Sequence, residues 1–102
     1  MVWQFYLCAF FAGIFLTNAV PHFVQGVCGN RFPTPFAKPP GKGLSSALVN
    51  VIWGLLNAII GTFLFIHSAI KPETTGLWVT FFAGAGLIGI QLGVHFAKKD
   101  KE

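Results

Sequence analysis

Three stretches of this chain, residues 1–30, 43–70 and 74–97, carry no charged side chain. Each can supply the roughly 20 apolar residues that take an α-helix across a bilayer at about 1.5 Å per residue. Lipid offers no partner to a bare backbone N–H or C=O, so such runs must be helices. The pattern predicts spans at 2–20, where Pro21 stops the first helix, then 45–70 and 75–97. A loop over 21–43, a short outer connection over 71–74 and a basic tail over 98–102 complete the chain. The expected fold is an all-α membrane protein with three transmembrane helices in a single domain.

Composition agrees. Ten of 102 residues are charged, or 10%, against roughly 25% in a soluble domain. The mean hydropathy is +0.67. A soluble domain this small needs a polar surface that ten charges cannot make. The composition therefore excludes a soluble globular protein, a disordered tail and a nucleic-acid binder. The first run lacks the positive n-region of a signal peptide and is too long for an h-region. It is read as a retained span.

The charges also set an expected orientation. With three spans, Arg31, Lys38, Lys42, Lys98, Lys99 and Lys101 fall on one side and only Lys71 on the other. The positive-inside rule places the six in the cytoplasm, with the N-terminus outside and the C-terminus inside. Trp3, Tyr6 and Trp78 then fall near the outer interface, where aromatic belts form. Cys8 and Cys28 lie at different depths and are expected to stay reduced.

Each span carries small residues at four-residue spacing. These are Ala9, Gly13 and Thr17 in the first, and Gly54, Ala58 and Thr62 in the second. The third has Ala85, Gly89, Gly93 and Ala97, with Gly86 alongside. Such stripes let backbones approach closely, which drives helix association in lipid. They serve either internal packing or docking to another protein, and the third helix has the longest stripe. The second helix has two faces. Asn50, Asn57, Gly61 and Ser68 share one side, and Val49, Ile52, Leu56, Ile59, Phe63 and Ile66 the other.

Polar residues gather toward the cytoplasmic end: Asn18, His22, Asn50, Gln91 and His95. Two imidazoles at one depth, His22 and His95, suggest a haem or other tetrapyrrole site. The plainer reading is bonding between helices. No metal-site spacing is present. No Asp, Glu, Lys or Arg lies inside a span, where pumps and carriers usually place one. No catalytic triad or paired carboxylate occurs either, so the chain is not expected to be an enzyme.

The loop holds five Pro and four Gly in 23 residues, together with Phe23, Arg31, Phe32 and Phe36. A mere linker does not need three Phe, so a structured loop lying on or under the bundle is expected. Ser45 and Ser46 supply a helix N-cap.

Three segments, Asn18-Ala-Val-Pro-His-Phe, Arg31-Phe-Pro-Thr-Pro-Phe-Ala-Lys-Pro-Pro-Gly with Gly43-Leu-Ser-Ser, and Asn50-Val-Ile-Trp-Gly54, carry a resemblance. About a third of the chain resembles a group of small three-span bacterial inner-membrane proteins. The resemblance implies a multi-pass protein of the bacterial inner membrane and no particular activity.

The expected function is that of a non-catalytic accessory or structural subunit. It would dock in the bilayer against a larger membrane complex, with an electron-transport or photosynthetic complex as one candidate host, or against its own copies. The alternatives are a tetrapyrrole-binding subunit using His22 and His95, and a small oligomeric transporter or pore built on the Asn50/Asn57 face.

Overall fold

The computed structural model describes residues 2–99 and is all-helical. Helix α1 spans Val2–Val27, α2 Ala47–His67 and α3 Thr75–Phe96. All three are long and apolar enough to cross a membrane. The N-terminal end of α1 lies beside the α2–α3 turn, here called the hairpin end. The other end carries the 28–46 loop and is called the loop end.

Helix α1 does not stop at Pro21, as the sequence reading expects, but continues to Val27. Proline removes one intrahelical hydrogen bond and crowds the preceding turn, a loss that spanning helices tolerate among neighbouring helices. Here the last two turns pack on α2. A Cβ on Gly26 would lie 2.7 Å from the Val51 nitrogen and 2.8 Å from the Ala47 oxygen. The true stop is Gly29, whose φ is +79°. Asn30 N–H donates to Gln25 O and Gly29 N–H to Gly26 O, the paired bonds of a Schellman cap. At 26 residues α1 is about 39 Å long, so it tilts or projects from a hydrocarbon core of about 30 Å.

Helix α2 begins after Ser46, whose Oγ accepts from Val49 N–H. It ends at His67, before the expected 70, because Ala69 takes a left-handed φ of +60°. Ser68 Oγ donates to Phe65 O and turns the chain. Thr74 Oγ accepts from Lys71 N–H and donates to Lys71 O, and Trp78 Nε1–H donates to the same carbonyl.

Helix α1 is central and packs on both others. Among the described residues α2 and α3 make no close backbone approach. Their ring contacts are confined to the hairpin end, where Phe65 meets Trp78 and Phe81. The interior is the reverse of a soluble core. The largest fully buried side chains are Asn50, Asn57, Thr34, Pro33 and Ser68. Ile52, Ile59, Phe63, Ile66, Phe82 and Ile90 face outward. In lipid, close contact of small residues and paired amides replaces hydrophobic burial as the association force.

Candidate functional site: the polar loop end and its flanking grooves

Asn50 is the hub of the loop end and is completely buried. Its Nδ2 donates to the carbonyls of Phe32 (2.9 Å), Ser46 (3.0 Å) and Ser45 (3.3 Å). Three carbonyls around one amide nitrogen fix the orientation of the group, so Oδ1 is the acceptor. His22 Nδ1 lies 2.9 Å from that Oδ1 and therefore carries the proton. The ring is 2% exposed, and its Nε2 keeps a bare lone pair. Aromatic edges hold it in place: Phe32, Trp53 and Phe96 lie 5.5, 6.4 and 5.9 Å away, centroid to centroid.

The loop is bolted to this hub. Phe32 and Ser45 exchange both backbone hydrogen bonds, at 3.1 and 3.0 Å. Thr34 Oγ and Ser45 Oγ are 2.6 Å apart, and Thr34 O accepts from Ala37 and Gly41 N–H. Phe32, Pro33, Thr34 and Ala37 are buried. Phe36 is exposed, yet stands edge-on to Trp53 at 5.2 Å. Lys99 lies over the Phe32 ring at 5.8 Å. His95 Nε2–H donates to Gly41 O at 2.6 Å, tying α3 to the loop.

One turn deeper, Asn18 Nδ2 donates to Asn57 Oδ1 at 3.0 Å, and Asn57 Nδ2 to Trp53 O at 2.8 Å. Because α1 runs on to Val27, this pair sits halfway along α2 and not at its end. The structure thus joins Asn18, His22 and Asn50 to Asn57, Trp53, Thr34 and Ser45, with His95 held alongside. It leaves out Gln91, which is exposed beside Ile14, Leu87 and Ile88. Reach along the helix explains this. Gln91 lies one turn before His95 on the same face, where α3 meets Ile14 of α1 and not the loop. Phe23 and Arg31 are exposed, with Phe23 on the α1 side facing α2. Asn50 and Asn57 are both buried and bonded inside one protomer.

A cavity of about 160 Å³ lies under the loop. Asn18 and His22 of α1, Trp53 of α2, Leu92, His95 and Phe96 of α3, and Pro33, Thr34, Pro35 and Gly41 of the loop line it. The volume is below the roughly 300 Å³ at which pockets for drug-sized ligands begin.

On the opposite side of α1, Leu16 and Val20 form a ridge between two apolar grooves. One, of about 450 Å³, is floored on α3 by Gly89 and Gly93 and ends at Pro21, Leu92 and Phe96. The other, of about 320 Å³, is floored on α2 by Gly54 and Ala58 and includes Ala19, Phe23 and Val24. Of the small residues picked out in the sequence, Thr17, Gly54, Ala58, Gly89 and Gly93 border these grooves. Ala9, Gly13 and Ala85 instead lie at the contact of α1 with α3.

These features define a small helical protein with three candidate membrane spans, apolar on its outer surface and polar within one end. No protein-family model, curated protein or solved structure matches the chain.

Proposed function

We propose that the protein is a non-catalytic accessory subunit of the bacterial inner membrane that docks in the bilayer against a larger membrane protein. The loop end would face the cytoplasm, following the Lys/Arg bias. The observation that carries this reading is the unfilled groove on the α3 side of the Leu16–Val20 ridge, where Gly89 and Gly93 face no neighbouring backbone. A lone bundle gains nothing from glycine where no backbone approaches, since glycine lowers helix propensity by about 1 kcal/mol relative to alanine. A partner helix lying along the ridge would recover that cost through close contact. The rigid loop supports the same reading, because it gives the docking end one fixed shape. The non-catalytic part of the proposal rests on the sequence, whose acidic residues all lie outside the spans.

The test is native purification in mild detergent followed by mass spectrometry. The expected result is a complex with a larger membrane protein. Recovery only as a free monomer would sink the proposal, and recovery only as a homo-oligomer would assign the grooves to a second copy.

A further inference from the structure

The cavity under the loop has a chemistry separate from the docking face. His22 Nδ1–H is engaged by Asn50, which leaves Nε2 as an unpartnered acceptor on a ring 98% removed from solvent. Asn18 uses its Nδ2 on Asn57, so its Oδ1 is a second acceptor, four residues away on the same face of α1. Trp53 Nε1 is a donor without a partner, sealed within the protein. The two acceptors on α1, His22 Nε2 and Asn18 Oδ1, suit a guest that donates hydrogen bonds. The remaining wall is flat and apolar, made by the rings of Trp53, Phe96, Pro33 and Pro35. The volume of about 160 Å³ is close to the roughly 150 Å³ cavity that accepts benzene in a well-studied soluble protein.

We propose that this cavity binds a single aromatic ring bearing a hydroxyl, a phenol or hydroquinone head group, whose O–H donates to His22 Nε2. The ring lies between the aromatic and proline walls, and Asn18 Oδ1 takes a second donor where the guest has one. The guest reaches the site either from water as a free phenol or from the bilayer as a tailed hydroquinone. The site recognises the same group in both cases.

The test uses the full-length protein in detergent micelles, with phenol, benzene and a decyl-tailed hydroquinone as probes. Binding is read by thermal shift and by the ¹⁵N resonance of His22 Nε2, assigned by its loss in His22→Gln. Phenol is expected to bind saturably, about tenfold more tightly than benzene, and to move the Nε2 resonance. Leu92→Trp, which fills the cavity and removes no hydrogen bond, is expected to abolish binding. The tailed hydroquinone binding as well as phenol assigns the guest to the bilayer, and phenol binding alone assigns it to water. Equal affinity for benzene and phenol, an unmoved Nε2 resonance or no saturable binding overturns the proposal, leaving a cavity that holds only water. The comparison of phenol with benzene on the wild-type protein stands even if Leu92→Trp fails to fold.

Discussion

The contact between α1 and α3 has two halves built from the same kind of residue and used in opposite ways. Toward the hairpin end the helices touch through their backbones. A Cβ on Gly13 would drive into the Phe81 carbonyl and lie 2.9 Å from the Ala85 nitrogen, and one on Gly84 would meet the Phe10 carbonyl. Ala9 and Ala12 beside them are fully buried. Toward the loop end the helices part. A Cβ on Gly89 would meet only the Thr17 methyl, at 3.9 Å, and one on Gly93 nothing within 4 Å. A glycine stripe therefore does not by itself state what it packs against. The first half closes the protomer, and the second leaves a groove.

The largest expected effect lies in the closed half. Gly13→Leu forces a side chain into a backbone that cannot rotate away, and should cost about 3 kcal/mol or more. Loss of the folded state in a denaturant titration in micelles is the expected result. A near-neutral outcome would break the contrast between the halves. Next comes the hub. Asn50→Leu removes the acceptor of His22 and the shared donor of three carbonyls. Stranding a buried donor costs about 1–3 kcal/mol. Amide exchange at Phe32 and Ser45 should rise as the loop detaches, with the helices retained. Asn18→Leu is smaller, about 0.6 kcal/mol, the usual worth of one interhelical hydrogen bond in a bilayer. An effect as large as that of Asn50→Leu would show the deeper pair to be the true hub.

Much of this was legible in the sequence, and the failures have physical causes. The faces of α2 followed from period alone: Asn50, Asn57 and Ser68 are buried, while Ile52, Ile59 and Ile66 are exposed. The three long apolar helices followed from the spacing of charges. The end of α1 did not, because a proline on its own signals a stop. In a packed membrane helix its lost hydrogen bond is outweighed by Gly26 seating on α2. Gly29-Asn30 was the better stop signal and stood in plain view. With α1 running on to Val27, Asn18 lies within the helix and pairs with Asn57 midway along α2. Gln91 shares a face with His95 but lies one turn short of the loop that His95 bonds, and the reach of a loop cannot be read from spacing. Nothing in the spacing indicated that Trp53 and the Thr34–Ser45 bond would close over His22, since those contacts depend on how the loop folds back.

The smallest expected effect on the protomer bears most on the contrast. Gly93→Leu places a large side chain where nothing stands within 4 Å, so protomer stability should stay within about 0.5 kcal/mol of wild type. Leucine is also the better helix former and offsets any residual crowding. The same substitution fills the groove shared with Val20 and Phe96, and should strip the partner from the complex in native purification. A large loss of protomer stability would mean that the loop-end half is packed as tightly as Gly13, and the two halves would then be one surface. An unchanged protomer that keeps its partner would move the docking face off α3, to the Gly54–Ala58 groove on the other flank of the ridge. Ala58→Leu in that groove then decides between the two flanks by the same measurement.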